Sequence, residues 1–119
     1  MVPECSATIF SVSDLEASIK YYTGVLGFAV DWRYGTLSCL KCGNVLIQLS
    51  APGVGINRRA TGEGNVYIFC DEVDQYFHDI ITKGAFVLVE LADRKYGMRD
   101  FAIRDPDGNT LSFGKEIAS

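Results

Sequence analysis

Ala7-Thr-Ile-Phe-Ser-Val-Ser-Asp-Leu15 and Asn65-Val-Tyr-Ile-Phe-Cys-Asp-Glu-Val73 align at a constant offset (65 − 7 = 58), placing Ile9-Phe10 over Tyr67-Ile68 and Asp14 over Glu72. Each stretch is a short strand-like run that passes through polar residues into the start of a helix. The elements downstream of each stretch repeat in the same order, which is the signature of an internal duplication.

After the first stretch, Ser13-Asp-Leu-Glu16 has the spacing of a capping box, and Leu15, Ile19, Tyr22 and Leu26 form one apolar stripe that Gly24 and Gly27 bring to an end. Strands are predicted over Ala7–Val12, Phe28–Tyr34, Thr36–Lys41 and Val45–Ser50, with Gly35 and Cys42-Gly43-Asn44 at the turns. In the second half Asn65–Cys70 reads as a strand, and Asp71 caps a helix whose apolar face is Val73, Phe77, Ile80 and Ile81. Gly84 stops that helix, and Ala85–Leu91, Met98–Arg104 and Asn109–Lys115 read as strands. Gly43-Asn44 mirrors Gly108-Asn109. The predicted fold class is α+β, two βαβββ modules (residues 5–50 and 64–116) in a single domain over 1–119, joined by a linker at 51–63.

The stretch from Ala51 to Gly64 holds four Gly and one Pro in 14 residues. Gly53-x-Gly55 lacks the third glycine and the following helix of a phosphate loop, so a mobile flap over a site is the favoured reading.

Eleven Lys and Arg against 15 Asp and Glu give a formal charge of −4, which argues against the basic footprint of a nucleic-acid binder. No basic leader precedes an apolar run, and no window approaches the roughly 20 apolar residues that cross a bilayer. A cytoplasmic protein with neither nucleic-acid nor membrane partners is expected. Cys5, Cys39, Cys42 and Cys70 are read as reduced, buryable side chains, since Cys39-x-x-Cys42 has no second ligand pair and does not open a helix.

Strand alternation sorts the residues into two surfaces. Thr8, Phe10, Val12, Val45, Ile47, Leu49, Val66, Ile68, Cys70, Leu111 and Phe113 form an apolar set suited to packing beneath the helices. Ala7, Ile9, Ser11, Leu46, Gln48, Ser50, Asn65, Tyr67, Phe69, Thr110, Ser112 and Gly114 form a mixed set of small, amide, hydroxyl and aromatic groups. A small-molecule cleft and a solvated sheet face both fit that mixture.

The single histidine, His78, lies mid-helix beside Asp79, so no metal pair is evident, and any nucleophilic triad would have to recruit it. Gly-x-Ser-x-Gly, His-Glu-x-x-His and Walker-type motifs do not occur. Asp31-Trp32-Arg33-Tyr34 and Tyr96-Gly97-Met98-Arg99-Asp100-Phe101 gather rings and arginines that suit a planar or cationic ligand. Core packing with an Arg99 ion pair fits equally well. Asp105-Pro-Asp-Gly-Asn109 is a hairpin turn.

Val12-Ser-Asp-Leu-Glu-Ala-Ser-Ile-Lys-Tyr-Tyr22, Leu26-Gly-Phe28 and Tyr96-Gly-Met-Arg-Asp-Phe-Ala-Ile-Arg-Asp-Pro-Asp-Gly-Asn-Thr-Leu-Ser-Phe-Gly114 resemble the vicinal-oxygen-chelate superfamily. That superfamily includes glyoxalase I, extradiol dioxygenases, fosfomycin-resistance enzymes and bleomycin-resistance proteins. The resemblance implies a curved mixed sheet with a concave cleft. In metal-dependent members four His or Glu ligands line that cleft, and the matching positions here are Ala7, Gln48, Asn65 and Ser112. None is a strong ligand, so no metal and no cofactor is expected.

The pattern is most similar to the metal-free bleomycin-resistance proteins. That similarity implies a small-molecule ligand, clefts at the subunit interface of a homodimer, and sequestration in place of catalysis. By the same resemblance Trp32, Tyr34, Tyr67, Tyr96 and Phe101 would stack on the ligand, and Gln48, Asn65, Arg99 and Ser112 would hydrogen-bond it. Two alternatives stand beside it. One is a glyoxalase-like lyase, isomerase or dioxygenase-related enzyme in the same cleft, with Glu90, Asp93 or Tyr96 as acid or base. The other is a structural or regulatory partner module.

Overall fold

The computed structural model describes residues 1–54 and 59–118. The chain runs β1 (Thr8–Ser11), α1 (Leu15–Gly24), β2 (Ala29–Tyr34), β3 (Leu37–Cys42), β4 (Val45–Ser50), β5 (Asn65–Phe69), α2 (Val73–Thr82), β6 (Phe86–Asp93), β7 (Met98–Arg104) and β8 (Thr110–Glu116). The elements form two open four-stranded sheets, one per module, in the orders β1-β4-β3-β2 and β5-β8-β7-β6. In each sheet the strand preceding the helix pairs in parallel with the last strand of its module. The remaining neighbours are antiparallel.

The duplication extends to the register. Ile9 pairs with Gln48 as Tyr67 pairs with Ser112, and Phe10 pairs with Leu49 as Ile68 pairs with Phe113. One backbone plan therefore serves both halves, and equivalent positions point to equivalent faces.

The apolar set meets the helices as its alternation requires. Phe10, Val12, Ile47, Leu49, Ile68, Leu111 and Phe113 are buried in one core with Leu15, Tyr22 and Leu26 on the α1 side and Val73, Phe77 and Ile80 on the α2 side. Phe101 and Phe113 stack at 5.4 Å between ring centroids, and Phe77 meets Phe101 edge-on at 4.9 Å. Ile81, expected on the buried face of α2, is 40% exposed, and Tyr76 packs against the core instead.

Both helix starts differ in detail from the sequence reading. The N-cap of α1 is Asp14, whose carboxylate accepts from the Ala17 amide, one residue later than the Ser13 box. The Ser13 amide is taken by Asp107 in the other module at 3.1 Å. At α2 the cap position is Glu72, with no side-chain cap bond, and Asp71 accepts from the adjacent Glu72 amide.

The turn from Asp105 to Asn109 does more than close a hairpin. Asp105 accepts from its own turn amides and from the Tyr22 hydroxyl of α1 at 2.9 Å. Asn109, fully buried, donates to the Ser11 carbonyl of β1 and accepts from Gly64. A side chain at residue 64 would collide with Phe10 and Asn109, so glycine permits this close passage of the connection. Tyr76 completes the clasp from the opposite direction by donating to the Leu26 carbonyl at 2.6 Å. The flap and phosphate-loop readings fall on the connection at 51–64, of which Gly55 and its neighbours to 58 lie outside the described residues.

The four cysteines are free. Cys39 is buried as expected, whereas Cys5 and Cys42 are exposed. Among the described residues no helix is long and apolar enough to cross a membrane.

Candidate functional site

Residues paired across neighbouring strands share a face, so the register shows what each sheet presents on the side away from its helix. In the first sheet one row is Ile9, Gln48, Cys39 and Trp32, and the next is Ser11, Ser50, Leu37 and Tyr34. A bulge between Val30 and Trp32 sets this arrangement, with the Ser38 hydroxyl donating to the Trp32 carbonyl at 3.0 Å. Arg33, one residue along, points to the helix side and pairs with Glu16 of α1. Trp32 is 41% exposed and Tyr34 70%.

The second sheet repeats the plan. Its rows are Asn65, Thr110, Arg104 and Phe86; Tyr67, Ser112, Ala102 and Val89; and Phe69, Gly114, Asp100 and Ala92. The Arg104 guanidinium lies 4.0 Å from the centre of the Phe86 ring. Tyr67 and Phe69 meet at 5.1 Å between centroids, and both rings are exposed. A depression of about 290 Å³ runs along them to Thr8, Asn44 and Leu46, so the module-two rings border module one.

Asp100 is the polar centre of this face. Its Oδ2 accepts from Tyr67 at 2.9 Å and Tyr96 at 2.6 Å, and its Oδ1 accepts from Arg94 Nε at 2.8 Å. Arg94 also donates to the Asp100 and Glu90 carbonyls. Burial alone would push the Asp100 carboxyl up, but the donors Arg94, Tyr96 and Tyr67 outweigh it and hold the carboxyl below its ordinary range. The Tyr67 phenol is pushed up by burial and then by its bond to Asp100, so it stays protonated. Tyr96 is raised chiefly by the same carboxylate.

The predicted site residues divide accordingly. Trp32, Tyr34 and Gln48 gather on the first sheet, and Asn65, Tyr67 and Ser112 on the second, with Tyr96 tied to the latter through Asp100. Two lie elsewhere. Phe101 is 1% exposed within the core beneath α2, because it pairs with Phe113 and alternation turns both rings inward. Arg99 is on the same helix side, donating to both oxygens of Asp74 at 2.8 and 2.9 Å and to Asp93 at 3.1 Å. It walls an open, charged depression of about 610 Å³ at the start of α2. Asp100 and Arg94 are not among the expected site residues. The alternation that makes Phe101 inward makes Asp100 outward, and that is the signal available in the sequence.

The four positions matching metal ligands do not fit a divalent transition metal: Ala7 has no donor atom, and Gln48, Asn65 and Ser112 offer neutral amide or hydroxyl groups. Among the described residues no three His, Cys, Asp or Glu side chains gather to hold a metal ion. His78 is an exposed residue of α2 whose Nδ1 lies 2.7 Å from the Asp74 carbonyl.

A family model described as "Glyoxalase/Bleomycin resistance protein/Dioxygenase superfamily" matches residues 6–113. Curated bleomycin resistance proteins from Geobacillus stearothermophilus and Staphylococcus aureus are 28% identical over 123 residues, spanning 91% of this chain and 93% of theirs. TioX from Micromonospora sp. ML1 has the same fold, with a TM-score of 0.84 at 19% identity, covering 97% of this chain and 100% of that one. Lactoylglutathione lyase from Agrobacterium tumefaciens superposes with a TM-score of 0.77 at 25% identity, covering 94% and 92%.

Proposed function

Because the chain belongs to the glyoxalase/bleomycin resistance protein/dioxygenase superfamily, we propose that it is a metal-independent binding protein that sequesters a small molecule, as an antibiotic-resistance protein would. The observation that carries this reading is the pair of sheet faces opposite the helices. Trp32, Tyr34, Tyr67 and Phe69 expose aromatic surface there, between the neutral polar groups of Gln48, Asn65, Thr110 and Ser112. Exposed rings around a few hydrogen-bonding groups form a surface for a planar guest.

Each sheet is open, so one chain offers two half-lined surfaces. A homodimer that places the first face of one chain against the second face of its partner would enclose two equivalent clefts and cover these rings. The acid-base alternative has less support, since Asp93 is paired with Arg99 and Tyr96 donates to Asp100.

The test is a thermal-shift screen of the full chain in chelator against aromatic antibiotics, glycopeptides including metal-free bleomycin, and divalent metals. A stabilising organic compound whose effect is lost in Trp32→Ala and unchanged by metals is the expected result. Stabilisation by zinc, nickel or iron alone, or a hit released chemically altered, contradicts the reading.

A further inference from the structure

Asp100 is 5% exposed and sits among three donors. Its two oxygens are divided between partners: Oδ1 faces Arg94, and Oδ2 takes the hydroxyl hydrogens of both Tyr67 and Tyr96. A phenol has one hydrogen to give. Once it is given to Asp100, the oxygen can only accept from anything else. Among the described residues no donor reaches the Tyr67 oxygen, while Arg94 lies beside that of Tyr96. The hydroxyl end of the Tyr67 ring lies over Gly114, and the residue is 37% exposed.

We propose that Asp100 is a specificity-determining residue: by fixing both phenols as acceptors, it makes the module-two face select planar guests that carry N–H or O–H donors. Arg94 has a supporting role, since it neutralises the carboxylate and orients Oδ2 toward the tyrosines. The inference rests on the reading of this face as a small-molecule surface, and it adds the ligand class. A guest whose polar edge holds only acceptors meets a wall of like lone pairs and leaves the Tyr67 oxygen unpaired.

Asp100→Asn reverses the polarity with almost no change in shape. The amide oxygen keeps Arg94, the amide nitrogen replaces Oδ2 and donates to the phenols, and the hydroxyl hydrogens of Tyr67 and Tyr96 turn outward. Tyr67→Phe removes the acceptor and keeps the ring.

The experiment compares two neutral planar tricyclic probes, carbazole with an N–H donor and 9-fluorenone with a carbonyl acceptor, by fluorescence titration of wild type, Asp100→Asn and Tyr67→Phe. Relative to wild type, the preference for carbazole should fall by about fivefold or more in Asp100→Asn, with fluorenone binding strengthened. Tyr67→Phe should weaken carbazole alone. The Tyr67→Phe arm decides the matter if Asp100→Asn does not fold. Equal preference in all folded proteins, with both probes bound, overturns the role of Asp100 and leaves the binding reading standing. Binding of neither probe by wild type overturns the inference, and a blank result across the wider thermal-shift panel removes the binding reading as well.

Discussion

Tyr67 reaches Asp100 by lying across Gly114: the hydroxyl is 2.9 Å from Oδ2, and a β-carbon on residue 114 would collide with that hydroxyl. β8 runs between β5 and β7, so the bond joins strands that are not neighbours. A missing side chain on the middle strand lets a ring from one outer strand meet a carboxylate from the other.

Gly114→Ala should therefore destabilise the fold by about 1–3 kcal/mol, the usual cost of forcing atoms into filled space. Most of that cost should disappear in a Tyr67→Ala background. Urea unfolding of the four proteins in the cycle measures the coupling, and purely additive effects would show that the two residues do not compete for the space.

Protonation of Asp100 should weaken the fold at acid pH. Its carboxyl is held below the ordinary 3.8 in the folded state, so the stabilisation is present above the unfolded value and is lost as pH falls through the lower folded value. The stability gap between wild type and Asp100→Asn should narrow as pH falls below the ordinary carboxylate value and through the lower folded one. A gap that widens toward acid would mean the carboxyl is raised instead.

The tyrosines titrate in the opposite sense. Burial is the leading cause of the upward shift for Tyr21, Tyr22, Tyr67 and Tyr76, and the bond to Asp100 for Tyr96, all from an ordinary value of 10.0. Their neutral forms favour the fold below about pH 10, and that contribution fades as pH rises through the higher folded values. Absorbance at 295 nm during alkaline titration should show most phenols ionising late and together with unfolding. All six phenols ionising in one step at their ordinary value, before unfolding, would contradict this placement.

Phe101→Ala and Arg99→Ala should separate core from surface. The first should cost about 3–5 kcal/mol, since the ring is enclosed by Phe77 and Phe113. The second should change stability by no more than about 1 kcal/mol, as partly exposed ion pairs do, and leave ligand affinity intact. Chemical denaturation and ligand titration of both variants check the assignment, and a large affinity loss in Arg99→Ala with normal stability would return that arginine to the site.

Most of the fold is legible in the sequence because the duplication supplies two readings of each element. Alternation within β1, β4, β5 and β8 sorts Phe10, Ile47, Ile68 and Leu111 to the core side, where all four are buried. At β7 the sequence reading leaves two choices open, a ligand-facing group from Tyr96 to Phe101 or core packing with an Arg99 ion pair. The second holds for Phe101 and Arg99 because successive strand residues point opposite ways. The turn from Asp105 to Asn109 pairs Arg104 with Thr110, and counting back from it sets Phe101 against Phe113 and Asp100 against Gly114. Carrying the turn's register backward places the ring inside and the carboxylate outside. The helix caps escape the sequence for a different reason. Ser13 has the right spacing, but the long-range acceptor Asp107 takes its amide, and local sequence carries no sign of that partner.

Native mass spectrometry of the full chain purified without chelator, recorded with and without metal-free bleomycin and any thermal-shift hit, tests metal-independent sequestration most directly. The predicted spectrum is a dimer carrying two intact ligand molecules and no metal. A ligand adduct that forms only on chains carrying one bound metal ion each, or a ligand recovered with altered mass, would contradict it.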